Sequence, residues 1–264
     1  MLIGGVEVSQ HMPRPLGFLA MVMLSTACSA ASTDDVSGDP DSRPSSTQSL
    51  SLVGKVVDYG ARDDIGVGLE GVKVCASQPN LGCSTTGAEG YAFDGLSPNA
   101  EFRLSFEKAG YMPSILDLKL GQNSTTEKGA LLSVAFIEKL LRSRNAEQPA
   151  ETGGVLLLAH MLDYDGLLAL RGVSFEIEHQ TDVLNIYVDD SGQPLEGGTK
   201  TGALGWGLAL GVRPGKLSGV VFHELVGARC GPLGHAEMEL ENRFEVEVVS
   251  GTISLVNVIC VYKG

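Results

Sequence analysis

The chain has 264 residues, of which 43% are hydrophobic and only 6% aromatic, a composition and length that suit one or two globular domains. Its 19 basic residues against 32 acidic ones leave a net charge of −13. This balance excludes the basic surface on which nucleic-acid binding depends, and it argues against electrostatic docking on anionic lipid heads.

The first 28 residues are predicted to be a secretory signal that ends at a cysteine. The apolar run LGFLAMVML, residues 16–24, follows Arg14 and is too short to span a bilayer. Small residues then lead to Cys28, and this boundary resembles the lipobox of bacterial lipoproteins, in which the cysteine becomes the acylated N-terminus. The resemblance implies an extracytoplasmic lipoprotein, and Ser29 after the cysteine favours the outer membrane. An ordinary cleaved signal that leaves Cys28 free is the alternative.

The next stretch, residues 29–49, reads SAASTDDVSGDPDSRPSSTQS and contains almost nothing to bury. Such a composition cannot offset the entropy of ordering. The sequence therefore predicts a disordered tether between the anchor and the first folded element.

The remaining four cysteines are predicted to form two disulfides. Cys75 and Cys83 flank a short turn, and Cys230 and Cys260 both lie in the last quarter of the chain. Disulfides persist in the oxidising compartments to which a secretory signal leads. Metal ligation is the alternative, but no pair has the Cys-x-x-Cys spacing usual in structural zinc sites.

An alternation of apolar and polar residues predicts an all-β protein made of two tandem transthyretin-like or Ig-like β-sandwiches, residues 50–122 and 153–264. A period of two marks strands with one buried face, and frequent Gly and Pro turns between short strands are typical of sandwiches. The clearest runs are Phe102, Leu104 and Phe106; Leu116, Leu118 and Leu120; Val173, Phe175 and Ile177; and Phe244, Val246 and Val248.

One segment has helical spacing instead. Residues 130–143, ALLSVAFIEKLLRS, place apolar side chains three, four and seven positions apart, with Arg142 in the last turn. We expect residues 126–150 to form a helix and a linker, with the helix packed against the sandwiches at their junction.

The two halves repeat the same short motifs in the same order. The first copy has Gly71-Val72, TGAEGY at 86–91 and GLSP at 95–98; the second has Gly172-Val173, TGALGW at 201–206 and GVRP at 211–214. This order resembles that of the carboxypeptidase regulatory-like domain, a transthyretin-like sandwich, and the first copy continues into that family's Lys-x-Gly-Tyr ending at 108–111. The resemblance implies an accessory, adhesive or sugar-related module without peptidase activity.

Three motifs invite a chemical interpretation, and each has a structural one. His223-Glu224 begins like a zinc-peptidase helix, but Gly227 stands where the second His is needed. The stretches DYDG at 163–166 and DDSG at 189–192 resemble calcium turns but lack the later ligands of an EF-hand, and Asp and Gly also favour plain turns. The glycine-rich 197–202 lacks phosphate-loop spacing.

Trp206 is the only tryptophan and the one residue proposed for contact with a ligand, since sugars stack on exposed aromatic rings. Its place in the repeat predicts at least partial burial. The sequence therefore favours a non-enzymatic cell-envelope lipoprotein, without cofactor or metal, that binds a protein or glycan or serves a structural role. A carbohydrate-binding accessory module and a hydrolase of unrecognised type are the alternatives.

Overall fold

A computed structural model describes residues 49–60, 68–78, 80–149, 151–163, 166–195, 197–233 and 240–262. The predicted signal, the lipidation site Cys28 and all of the predicted tether except Ser49 lie outside these residues, as does Asp165 of the DYDG stretch. No helix within the described ranges is long and apolar enough to cross a bilayer.

The fold is all-β with a single helix among the described elements, as predicted. In chain order the elements are β1 (Leu50–Asp58), β2 (Lys73–Ala76), β3 (Cys83–Thr85), β4 (Tyr91–Leu96), β5 (Glu101–Glu107), β6 (Tyr111–Met112), β7 (Ser114–Lys119), β8 (Thr125–Ser133), α1 (Val134–Ser143), β9 (Gly153–Asp163), β10 (Gly166–Ala169), β11 (Val173–Ile177), β12 (Leu184–Tyr187), β13 (Trp206–Val212), β14 (Gly215–His223), β15 (Ala228–Pro232), β16 (Arg243–Val248) and β17 (Ile253–Tyr262).

One ten-stranded sheet, the central sheet, contains strands from both halves of the chain. Its order is β12-β13-β9-β17-β7-β5-β2-β3, with β10 added to β9 and β15 to β17. The halves meet where β7 and β17 run parallel, with Ser114–Leu116 opposite Ile253–Leu255. The division into two separate sandwiches stays a prediction, but the backbone hydrogen bonding is continuous across the proposed boundary.

Two smaller sheets cover the two faces of the central sheet. The upper sheet, β4-β1-β8-β6, shares a first core with α1 and with β5, β7, β9, β13 and β17. The lower sheet, β11-β14-β16, shares a second core with β9, β13 and β17. Strand β9 therefore sends Leu156 and Leu158 into the first core and Val155 and Leu157 into the second.

The helix begins at Val134, four residues later than predicted. Residues 130–133 belong to β8, which pairs in parallel with β1 through Leu131 opposite Asp58. Ser133 caps the helix by accepting a hydrogen bond from the N–H of Phe136 at 3.2 Å. Phe136, Ile137 and Leu140 enter the first core, so one face of the helix packs against the sheets.

The predicted internal repeat appears as one hydrogen-bond arrangement made twice. Thr86 Oγ1 accepts from the N–H of Val72 at 2.9 Å and donates to the carbonyl of Leu69 at 2.6 Å. Thr201 Oγ1 accepts from the N–H of Val173 at 3.0 Å and donates to the carbonyl of Leu170 at 2.8 Å. Each buried threonine thus joins a strand to the turn before it, which explains why both copies need a hydroxyl at this point.

Candidate binding surfaces

The DDSG stretch at 189–192, the glycine-rich segment 197–202 and Glu224 of the His223-Glu224 motif contribute residues to one group of loops. Arg171, Asp189–Ser191, Gly197–Gly202 and Glu224 line an open depression of about 830 Å³. Its best-organised turn is built by Asp189 Oδ1, which accepts from the N–H of Ser191 at 2.8 Å and from the N–H of Gln193 at 2.9 Å. This carboxylate forms the turn itself, as expected where Asp precedes Gly.

The other charged groups of the depression are held in pairs. Asp190 binds Arg171 and accepts from the N–H of Ala203 at 2.8 Å. Glu224 lies 3.2 Å from Lys200. These contacts place each carboxylate in an ion pair or a turn.

His223 ends a strand rather than opening a helix. It is the last residue of β14, and its Nδ1 accepts from the N–H of Leu225 at 3.0 Å while its Nε2 lies 3.1 Å from the carbonyl of Arg171. Gly227, in the turn that follows, has a φ of 87°. The spacing of a zinc-peptidase helix therefore has no structural counterpart here.

Trp206 is buried, so its proposed contact with a ligand is not supported. Its exposed fraction is 0%. The ring packs against Tyr59 and Phe136, each with a centroid separation of 6.2 Å. Its Nε1 has no hydrogen-bond partner among the described residues. A stacking platform needs an open ring face, and Trp206 instead joins the upper sheet, the helix and the central sheet.

Both predicted disulfides are present. Cys75 stands directly opposite Cys83 in the β2–β3 pair, and Cys230 stands opposite Cys260 in the β15–β17 pair. The first bridge lies near the edge of the central sheet, whereas both residues of the second are buried in the second core. The four cysteines are therefore not metal ligands in this structure.

A cleft opens where β7 and β17 separate. Beyond the Leu116–Leu255 pair, residues 117–119 of β7 keep only β5 as a strand partner among the described residues, whereas β17 continues beside β9 and β15. The cleft has a volume of about 580 Å³. Its walls include Leu116, Leu118, Leu120, Leu255 and Ile259 with the polar residues Asp117, Lys119, Glu127, Glu245 and Asn257.

Glu127 is the carboxylate that burial perturbs in this cleft. Burial raises its pKa to about 7, and no described residue forms an ion pair or a side-chain hydrogen bond with it. The neighbouring opposite charges are already paired, since Lys119 lies 3.3 Å from Glu101 and Arg103 lies 2.7 Å from Asp117. Glu127 is thus a costly charge with no compensating cation among the described residues.

Replacing Glu127 by glutamine is expected to stabilise the fold at alkaline pH. A folded-state pKa of about 7 against an ordinary value of 4.5 means that the folded protein binds this proton more tightly than the unfolded chain does. The resulting stability is complete below pH 4.5 and is lost as pH rises through about 7. At pH 8 Glu127→Gln should therefore raise the free energy of unfolding by about 3 kcal/mol relative to wild type, since each pKa unit corresponds to about 1.4 kcal/mol.

Urea denaturation at pH 4.5 and pH 8 measures this effect as a difference between variant and wild type. Glu151→Gln is the matched control, because Glu151 is exposed and lies in the connection between α1 and β9. An equal effect of the two substitutions at pH 8 would contradict the burial of an unpaired charge at Glu127.

A second surface, the apolar end, consists of Met161, Leu168, Leu225, Val226 and Tyr262. All five side chains are exposed, and Val226 has an exposed fraction of 93%. Leu168 lies opposite Met161 in the β9–β10 pair. Tyr262 lies opposite Ala228, the residue at which the chain enters β15 after the turn with Leu225 and Val226. Because β9 and β17 are parallel neighbours, these segments reach the same end of the central sheet.

No protein-family model matches the chain, and no curated protein matches it. Among solved structures it is similar to the TIE protein of Bacillus anthracis, with 16% identity and a TM-score of 0.25 over 81% of this chain and 34% of that one. The chain thus spans about a third of that protein's length. It is also similar to GBS52, the minor pilin of Streptococcus agalactiae, with 13% identity and a TM-score of 0.28 over 82% of this chain and 97% of that one.

A third similar structure is the shaft pilin SpaA from Lactobacillus rhamnosus GG, with 11% identity and a TM-score of 0.25 over 83% of this chain and 100% of that one. All three TM-scores are low.

Proposed function

We propose that the chain is a non-enzymatic module of the bacterial cell envelope that binds a protein partner through its apolar end. The observation that carries this proposal is the gathering of five exposed apolar side chains at one end of the central sheet. Soluble proteins rarely leave such side chains clustered, and clusters of this kind mark contact surfaces. Side chains exposed singly, such as Val53 in β1, need no such explanation.

The proposed location is extracytoplasmic, and the two disulfides support it. Disulfides are rare in reducing compartments and are retained outside the cytoplasm. The proposal adds a lipid anchor at Cys28, after a signal peptide of residues 1–28, with the outer membrane favoured by Ser29. Residues 29–49 then connect the anchor to β1.

The proposal also keeps the resemblance to the carboxypeptidase regulatory-like domain. What supports it is that both copies of the motif make the same hydrogen bonds through Thr86 and Thr201. In that family such domains serve as accessory or adhesive modules, which agrees with a binding role.

Photo-crosslinking from Val226 tests the proposed contact. A photoreactive amino acid at this position should give a discrete protein adduct in the membrane fraction of the native cells, because a side chain exposed to 93% in the free protein lies within the proposed interface. Denaturing electrophoresis measures the adduct.

Val249 is the matched control, since it is a valine that is also exposed and lies in the turn between β16 and β17. Equal yields from the two positions, or none from either, would contradict a partner at the apolar end. Recovery of the protein from the soluble fraction alone would contradict the anchor while leaving the contact surface intact.

A further inference from the structure

We propose that the cleft between β7 and β17 binds an extended peptide segment with a basic side chain, which pairs its main chain with the free edge of β7 and places its cation against Glu127. This site is distinct from the apolar end, because the cleft opens between β7 and β17 and none of the five apolar-end residues lines it. Either site can therefore fail without the other.

Beyond Leu116, one edge of β7 has no strand partner among the described residues. Residues 114–116 pair with β17, but residues 117–119 have only β5 as a strand partner in the described part of the chain. The main-chain groups of residues 117–119 that point away from β5 therefore have no strand partner among the described residues. An extended segment is the ligand that satisfies such groups with its own N–H and C=O groups, as in strand addition to a sheet edge.

The cleft matches a ligand site in volume and lining. A volume of about 580 Å³ lies within the range of roughly 300 to 1,000 Å³ that is usual for ligand sites. Leu118 and Leu120 come from β7 and the residue just after it, and Leu255 and Ile259 come from β17. Apolar walls on both sides suit the alternate side chains of an extended segment.

The charged side chains that line the cleft are mostly acidic. Three carboxylates line the cleft, those of Asp117, Glu127 and Glu245, against the single cation of Lys119. Lys119 is paired with Glu101, and Asp117 is paired with Arg103, so the negative charge that has no partner in the described part of the chain is concentrated at Glu127 and Glu245. A basic side chain complements this charge, and its stem is apolar like the walls.

The groups near Glu127 do not supply that cation. Tyr91, on β4, donates its hydroxyl to the backbone carbonyl of Glu127 at 3.0 Å. Lys128 is the next residue along β8 and is exposed. Burial lowers the pKa of His160, and the charge of Lys128 lowers it further. No ion pair joins Lys128 to Glu127 among the described residues.

A second copy of the same chain is the less suitable occupant. Each copy carries a net charge of −13, so two copies that meet through an acidic cleft would repel each other. A basic segment from a different protein is instead attracted by the negative charge of the cleft.

The probe is the capped peptide acetyl-Thr-Val-Lys-Val-Thr-amide, compared with peptides that carry norleucine or glutamate in place of lysine. Amide shifts in NMR titrations at pH 8 measure the affinity. We expect the lysine peptide to bind at least tenfold more tightly than either analogue and to shift the amides of residues 117–119. Glu127→Gln should remove the preference for lysine, whereas Glu151→Gln should leave it unchanged.

The pH dependence gives an independent test on the wild-type protein. Because burial raises the pKa of Glu127 to about 7, lowering the pH from 8 to 6 should weaken the lysine peptide about tenfold and leave the norleucine peptide unaffected. Burial lowers the pKa of His160, so the charge of this side chain changes less over this interval than that of an ordinary histidine, and any such change is common to both peptides.

Equal binding of the lysine and norleucine peptides to wild type would overturn the charge argument. Amide shifts confined to other strands, or no binding at millimolar concentration, would overturn the site itself. Neither result depends on a variant that must fold, and neither affects crosslinking from Val226.

Discussion

Replacing Trp206 by alanine is expected to lower the free energy of unfolding by about 4 kcal/mol, the usual cost of removing a large, fully buried aromatic side chain. The indole has no exposed surface and packs against Tyr59, just beyond β1, and Phe136 of α1. The cavity would therefore lie between the upper sheet, the helix and the central sheet. Equilibrium unfolding in urea, followed by far-UV circular dichroism, measures the loss.

The form of the unfolding transition matters as much as its midpoint. Because β7 and β17 pair directly and both contribute to the first core, we expect the two halves to unfold together in wild type. Trp206→Ala should move this single transition to lower urea concentration. If wild type instead shows two separate transitions, and Trp206→Ala shifts only the transition of the second half, the two halves are independent sandwiches without a shared core.

Trp206→Phe is the matched variant. It leaves a smaller cavity and removes the indole N–H, which has no partner among the described residues, so its cost should be clearly below that of alanine. Equal destabilisation by the two substitutions would show that the loss arises from something other than the volume of the ring.

Strands with one buried face could be predicted from the sequence, whereas strands with two could not. Phe102, Leu104 and Phe106 alternate with exposed or half-buried residues in β5, and all three are buried as expected. The run from Val155 to Leu158 in β9 is buried throughout, because its two faces contact different cores. Such a run has no period of two, so the pattern gave no sign that β9 and β17 lie at the centre of a continuous sheet.

The predicted start of the helix, at residue 130, was wrong for a related reason. Residues 130–132 are apolar and fit helical spacing, but all three are buried in β8. A short apolar run satisfies either period, and here the parallel pairing of β8 with β1 decides for a strand. The cap at Ser133 shows where the local helix signal begins.

The cleft could not be predicted, because it arises from two strands whose partners Ile115 and Ser254 are 139 positions apart in the sequence and that separate after a short parallel pairing. Glu127 carried one signal that could have been used. It stands two residues before Gly129 on the face of β8 that packs on Phe106, and a carboxylate at a core-facing position is unusual. Polar residues at inward positions of a strand therefore deserve the same scrutiny as known motifs.

The second large effect is expected from the Cys230–Cys260 disulfide. Replacing both cysteines by alanine should lower the free energy of unfolding by about 4 kcal/mol, because the loop that the bridge closes regains its freedom in the unfolded chain. The sequence separation is 30 residues. Both residues are also buried in the second core, so the substitution removes packing in addition to the covalent constraint. Urea denaturation of the double variant measures the loss.

The Cys75–Cys83 bridge is the internal comparison. Its separation of 8 residues and its place near the sheet edge predict a smaller loss, about 2.5 kcal/mol by the same loop-closure relation. Because the two halves share the central sheet, removal of either bridge should shift one common transition rather than unfold one half alone. If removal of Cys75–Cys83 lowers the free energy of unfolding more than removal of Cys230–Cys260 does, loop length and burial do not determine how much each bridge stabilises the fold. The second half would then owe its stability to the pairing of β17 with β7 and β9 rather than to the bridge.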